Sequence, residues 1–440
     1  MFQKSFILSF LLAFGLLAVY TETVYTQEQT YSLQELYNLA DKNSKSIRVY
    51  NTAKAVADEA AASARSQRLP DIHTQLAFSY NGRGIITDRN FSNLMNVYIP
   101  EYGNNFALKV SQVIYAGGAI TNAIKLGKMG QDMAELDRLR NRQEIRFMIT
   151  GQYLDIYKSL NMLEVLGRNI DLTEKVLQNM QNRFEQGTAL KNDITRYELQ
   201  LEMLRLQHAK VEDAYRILNH QLCINVGLDE NALVRPDTTI LNMEVQNMDE
   251  SYWQHMVSIG NISLKQAALA CQISEKKAGI TRSASLPHLF LFAENYLTGP
   301  VTIEVPPLNK NFNYWYVGLG IQYSFSSLFK NNHGIRKSRL EMRKNDEEYE
   351  LTKERMNIGV QAAHTDFTTS FTELNTQKKS VELATENYRV INNRYNDGFA
   401  LITDMIDASN MKLSAELKLI EARINLIYNY YRLKYLTHSL

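Results

Sequence analysis

Asn182-Arg183-Phe184-Glu185-Gln186-Gly187-Thr188-Ala189-Leu190, followed by Asp193, returns as Asn393-Arg394-Tyr395-Asn396-Asp397-Gly398-Phe399-Ala400-Leu401, followed by Asp404. Six of the twelve positions in this window are identical, at an offset near 210 residues. Leu69-Pro70 returns in the same way as Leu286-Pro287, with Arg65-Ser66 and Arg282-Ser283 ahead of them. Internal duplication is the simplest account. It divides the chain into a first repeat over 27–248 and a second over 249–440, behind a leader over 1–26.

The repeated window sits where long helical stretches stop. All seven prolines fall outside those stretches, and proline is the strongest helix breaker. The Pro-free runs from about Ala119 to Phe184 and from about Lys337 to Tyr395 predict helices of roughly 90 to 100 Å each. Beyond Asp193, apolar residues fall at Ile194, Tyr197, Leu201, Leu204, Val211, Tyr215, Leu218 and Leu222, a 3-4 spacing interrupted by His208. Leu413, Leu417, Ile420, Ile424, Ile427 and Tyr431 repeat it. Such spacing describes a coiled-coil seam, so these helices pack against other long helices.

Each repeat also predicts two strands, at about 72–81 and 105–115 and at about 288–297 and 314–325. Thr74, Leu76, Phe78 and Tyr80 alternate with polar or small residues, as do Phe106, Leu108 and Val110. Trp315, Val317, Leu319, Ile321, Tyr323 and Phe325 alternate with Tyr316, Gly318, Gly320, Gln322 and Ser324. His288 to Tyr296 is apolar on both faces near its start, which leaves its facing open. Alternation fits a soluble sheet or a membrane barrel with lipid outside and water inside. Two points favour the barrel. Membrane barrels start at about eight strands, so four must share a barrel with other chains. The hairpin tips, Asn81 to Asn104 and Gly299 to Asn313, are long and polar and hold four of the seven prolines, as extracellular loops do.

Composition narrows the function. Lys plus Arg (48) nearly cancels Asp plus Glu (47) in 440 residues, so nothing favours a nucleic-acid partner. Lys4 precedes an apolar run from Phe6 to about Val19, the pattern of a secretory signal peptide, with the mature start between about Glu22 and Gln27. No later segment has the apolar length of a membrane helix. Cys223 and Cys271 are too few for a disulfide framework. The eight histidines lack the spacing of a zinc site. Ser327-Leu328-Phe329-Lys330 and Ser409-Asn410-Met411-Lys412 match Ser-x-x-Lys without the partner motifs that would give the match meaning. The chain is read as a non-enzyme with no cofactor and no metal.

With these pieces in place the sequence resembles the TolC family of outer-membrane efflux proteins from about Tyr31 onward. The resemblance rests on Tyr31-Ser32-Leu33-Gln34-Glu35-Leu36-Tyr37-Asn38-Leu39-Ala40, on Leu108 to Gly118 at the strand-to-helix turn, and on the doubled tip motif. It implies a trimeric helical tunnel joined to a twelve-stranded barrel, four strands per subunit, in a Gram-negative outer membrane. The implied partners are outer-membrane lipid, a periplasmic adaptor and an inner-membrane transporter of the resistance-nodulation-division or ABC class. It also implies a tunnel closed at its far tip by Tyr395, with Asn192 and Asp193 as polar partners and Asp404 and Asp407 as an acidic ring. The family's best-known member has an arginine where Ala400 stands, so that gating ion pair is absent or rebuilt here.

Residue chemistry offers plainer roles beside these. Asp404 and Asp407 share one helix face, and Asp404 also stands where a residue caps a helix start, as Asp193 does in the first repeat. Gly187 and Gly398 suit left-handed turns, and the tips they form are where an adaptor would dock. The leading expectation is small-molecule efflux. The alternatives are a type I protein secretion duct and, in another class, a secreted periplasmic coiled-coil scaffold without a pore.

Overall fold

A computed structural model describes residues 28–242, 248–304 and 307–440. The expected signal peptide and its cleavage region lie outside them. In chain order the elements are β1 (Glu28–Tyr31), α1 (Leu33–Asn43), α2 (Lys45–Ser66), β2 (Asp71–Tyr80), β3 (Gly84–Ile86), β4 (Met95–Val97), β5 (Tyr102–Ala116), α3 (Ala119–Glu185), α4 (Lys191–Val226) and β6 (Leu233–Pro236). A 3-10 turn (Thr238–Asn242) leads to α5 (Glu250–Gly260), α6 (Ile262–Ser283), β7 (His288–Gly299), β8 (Phe312–Gln322), α7 (Ser327–Lys330), α8 (Asn332–Asn396) and α9 (Ile402–Leu436). α3 and α8 are uninterrupted over 67 and 65 residues, about 100 Å each at 1.5 Å per residue.

The chain forms two compact units, one from residues up to Ile47 with Arg142–Trp253 and Val360–Leu440, the other from Arg48–Asn141 and Gln254–Gly359. The first unit is helical. Ser32 starts α1 through a reciprocal cap, its Oγ accepting from the Glu35 amide at 3.3 Å while the Glu35 carboxylate accepts from the Ser32 amide at 2.8 Å. Leu36, Ile149, Tyr153, Leu222, Val226, Ile424 and Ile427 form one core cluster. Val165, Leu166, Leu204 and Leu413 form another, with Val211, Leu417 and Ile420 against it. Both contain the seam positions of α4 and α9. Each buried leucine or isoleucine contributes about 1.5 to 3 kcal/mol, more than any exposed i,i+4 ion pair on these helices, so the apolar seam holds the helices together.

A parallel pair, β1 against β6, joins the start of this unit to the segment after α4. It has no counterpart in the sequence reading. Asn219 secures it: its Oδ1 accepts from the Val234 amide at 2.9 Å and its Nδ2 donates to the Ala232 carbonyl at 2.6 Å. Tyr153 donates to the Tyr31 carbonyl at 3.0 Å. Cys223 is buried beside this strand, its thiol pushed up to about 11 by burial, and serves packing.

The second unit holds an antiparallel sheet in the order β2-β5-β7-β8. The strand expected over 314–325 ends at Gln322. Tyr323 and Phe325 fall beyond it because the serine-rich segment turns the chain, with the Ser327 amide bonded to Ser324 O at 3.0 Å. The first long hairpin tip contains its own small ladder, β3 with β4.

Candidate functional site: helix tips and sheet faces

The doubled sequence window folds twice into the same turn. At the end of α3 the Gly187 amide donates to Phe184 O at 2.9 Å and the Thr188 amide to Arg183 O at 2.8 Å. At the end of α8 the Gly398 amide donates to Tyr395 O at 3.1 Å and the Phe399 amide to Arg394 O at 2.7 Å. Both are Schellman motifs, with φ of 74° at Gly187 and 82° at Gly398. α4 and α9 then start alike, from extended Leu190 and Leu401, with the Asp193 and Asp404 amides bonded to the Leu190 and Leu401 carbonyls.

Side chains break the symmetry. Tyr395 is buried in a cluster with Met180, Tyr197, Ile402 and Met405, while the matching Phe184 is exposed. Ala400 packs against the same cluster. The Arg183 guanidinium, from the first repeat, lies 5.5 Å over the Tyr395 ring, within cation–π range. Burial holds the Tyr395 phenol above its ordinary value, the Arg183 charge opposes this, and the nearby Asp193 carboxylate adds to it. Arg183, Asp193 and Tyr395 therefore meet at one place, whereas Asn192 is exposed on the first turn of α4.

Asp404 and Asp407 are both exposed, one helical turn apart. Asp404 also caps α9, its Oδ2 accepting from the Leu401 amide at 3.1 Å, whereas α4 starts with no such side-chain cap from Asp193. Asp407 lies between two surface grooves, one with Gln377, Asn387 and Lys418, the other with Arg196, Gln200 and Thr403. The role of Arg183 was not read from sequence, although its place in the doubled motif was a signal that could have found it.

The sheet register settles the facing of β7, left open by its sequence. Leu289, Leu291, Ala293 and Asn295 stand opposite Ile321, Leu319, Val317 and Trp315 of β8, and Ala293 opposite Val110 of β5. Directly paired residues share a face, so one face of the sheet is a mainly apolar band, interrupted at Thr74 and Asn295, that extends to Ile72 and Leu76 of β2. The other face carries His73, Lys109, Glu294 and Tyr316 as directly paired neighbours across the four strands. On that second face the Phe290 and Phe292 rings lie over Gly320 and Gly318, where an added Cβ would come within 2.4 and 2.6 Å of them. That is why β7 reads apolar on both faces: its inner phenylalanines fill the space left by glycines on the next strand.

An apolar outer band with a polar and charged inner face is the wall of a water-filled membrane barrel. Among the described residues β2 and β8 are free edges, and four strands do not close, so the fold defines a subunit of a channel whose barrel is shared between chains. No helix among the described residues is long and apolar enough to cross a membrane, and none of them form a His, Cys, Asp and Glu group suited to a metal ion.

The sequence model of the outer membrane efflux protein family matches residues 36–223 and 255–437, and the chain belongs to that family. It is an outer-membrane efflux channel subunit of a Gram-negative bacterium, with a helical periplasmic tunnel and two tandem repeats. The outer membrane protein VceC of Vibrio cholerae is similar in structure, with a TM-score of 0.78 at 13% identity over 92% of this chain and 96% of that one. The outer membrane channel CmeC of Campylobacter jejuni gives 0.76 at 14% identity, over 92% and 85%. The open state of the MtrE outer membrane channel of Neisseria gonorrhoeae gives 0.73 at 14% identity, over 92% and 89%. No curated protein matches the sequence.

Proposed function

We propose that the chain is one subunit of a homotrimeric duct that carries small molecules outward, taking them from an inner-membrane transporter of the resistance-nodulation-division class through a periplasmic adaptor. The observation that carries this reading is the convergence of Arg183, Asp193 and Tyr395 where the two repeats' tips pack together. Tyr395 and Asp193 hold the tip closed, with Asn192 at its surface. Arg183 supplies, from the first repeat, the cation that Ala400 cannot. Asp404 and Asp407, repeated three times, line the narrow opening with six carboxylates, and the turns at Gly187 and Gly398 present the adaptor-docking surface. The choice of small molecules over secreted proteins follows the family's prevalent use.

Three measurements test the reading. Cross-linking in intact cells, followed by purification from outer membranes, is expected to recover an adaptor and a proton-driven pump; recovery of an ABC transporter moves the function to protein secretion. In planar bilayers, Asp404→Asn with Asp407→Asn is expected to weaken block by multivalent cations and reduce cation preference, because a ring of carboxylates concentrates cations. Unchanged selectivity would remove the acidic ring from the pathway. Tyr395→Phe or Asp193→Ala is expected to raise the resting conductance, and an unchanged closed-state current would place the gate elsewhere.

A further inference from the structure

The inner face of the sheet carries more aromatic surface than the wall of an aqueous barrel requires. Tyr314 stacks on Tyr296 at 5.3 Å and 16°, Phe312 on Tyr314 at 5.2 Å and 28°, and Tyr316 lies 6.2 Å from Tyr296 at 20°. Near-parallel rings of this kind form one aromatic ladder. In their midst stands Glu294, whose Oε2 accepts from the Tyr296 hydroxyl at 2.5 Å and the Tyr316 hydroxyl at 2.7 Å. The Lys109 ammonium already lies 5.4 Å over the Tyr296 ring, so one of these faces holds a cation of the chain's own.

Packing explains Phe290 and Phe292, which cover glycines. It does not explain Phe312, Tyr314 and Tyr316, which sit on the edge strand and remain 52%, 39% and 42% exposed. When β8 pairs with β2 of a second copy, that strand brings His73, Gln75, Ala77 and Ser79 on this face, which are too small or too polar to cover three aromatic rings. The wall therefore stays open toward the lumen, with a carboxylate fixed in it by its own tyrosines.

We infer that each subunit's lumen wall is a binding station for flat organic cations, which stack on Tyr314 and Tyr316 and are counter-charged by Glu294. Lys109 competes for the same wall from within. The inference rests on the channel reading above, because the tyrosine face must look into water rather than lipid. Stacking selects flatness and the carboxylate selects positive charge, so a planar cation is favoured over both a planar anion and a compact aliphatic cation.

The test is a titration of the purified trimer with ethidium as the planar cation, read by fluorescence anisotropy, with tetraethylammonium as the non-planar competitor. Saturable ethidium binding that tetraethylammonium displaces poorly is expected. Glu294→Gln is expected to weaken it about tenfold, the loss of one charge contact beside an aromatic wall. Lys109→Gln is expected to tighten it severalfold, a sign that a merely structural lysine would not give. Tyr314→Leu with Tyr316→Leu should abolish binding, while Tyr316→Phe, which keeps the ring and the sheet, should retain it within about threefold. Equal affinity in the wild type, Glu294→Gln and Lys109→Gln overturns the inference. Loss of binding on Asp404→Asn with Asp407→Asn, but not on Glu294→Gln, also overturns it by placing the cation at the helix tips. Failure of the channel reading itself would show separately, as absence of ion conductance from the same preparation in planar bilayers.

Discussion

The tip after α3 and the tip after α8 share the backbone hydrogen bonds of one turn, yet they differ in what they do with the aromatic residue ahead of the glycine. Phe184 is 43% exposed and Tyr395 is 9% exposed. Backbone geometry at a turn is set locally, by a glycine that accepts positive φ and by carbonyls that need partners. Burial is set by the neighbours, and only the second tip turns its aromatic ring into Met180, Tyr197, Ile402 and Met405. A duplicated sequence has thus kept one turn and buried the aromatic ring of only one of its two copies.

The most severe way to break this comparison is to truncate both rings. Tyr395→Ala removes a buried aromatic side chain and is expected to cost about 3 kcal/mol, at the low end of the range for large-to-small aromatic changes because the site is at the edge of the core. Phe184→Ala is expected to stay within about 0.5 kcal/mol, as exposed positions do. Hydrogen exchange of the α8 and α3 C-terminal turns measures each locally. Equal loss of protection at the two tips would mean that the aromatic residue acts through the turn itself and that the buried cluster adds nothing.

A second test uses titration, because only one tip carries a phenol at this position. Tyr395 is raised above its ordinary value, first by burial. A group that binds its proton more tightly when folded stabilises the fold below the unfolded tyrosine value, near pH 10, and loses that contribution as pH rises through and beyond it. Alkaline solution above about pH 10 is therefore expected to loosen the second tip before the first, seen as a rise in resting conductance. Tyr395→Phe should reduce that rise without removing it, since Tyr197 and Tyr388 nearby are also raised by burial. A conductance that does not respond to high pH in the wild type would separate the phenols from the closure.

The same contrast shows what a sequence can and cannot display. Proline exclusion, the 3-4 seam and the repeated Asn-Arg-aromatic window carry the helices and their turns, because those depend on neighbours a few residues away. The seam positions Leu204, Leu222, Leu413 and Ile424 are buried as their spacing requires. The β1–β6 pair leaves no signal in the sequence, because four residues per strand give no periodicity and its anchor Asn219 lies inside a helix. The facing of β7 was hidden because Phe290 and Phe292 answer glycines on another strand, so their polarity is decided by Gly320 and Gly318. Arg183 over Tyr395 belongs to the same class: the doubled motif marks Arg183, but the contact spans the two repeats and the motif does not show what the guanidinium touches.

The smallest effect is expected where the two tips are alike. Gly187 and Gly398 both take positive φ, and nothing lies within 4 Å of where a Cβ would stand on either. Gly187→Ala and Gly398→Ala therefore meet no steric obstacle and carry only the conformational cost of a left-handed alanine, about 1 kcal/mol each. The two values should agree closely, since the Schellman bonds on each side are the same and the buried ring belongs to the preceding turn of helix. Local hydrogen exchange of the Thr188 and Phe399 amides, which close the two motifs, reads this difference directly. If Gly398→Ala costs much more than Gly187→Ala, the second turn is held in place by contacts that the first lacks, and the closure extends past Tyr395 into the turn itself. Equal costs confine the difference between the repeats to side chains, with the backbone of the ancestral turn unchanged in both.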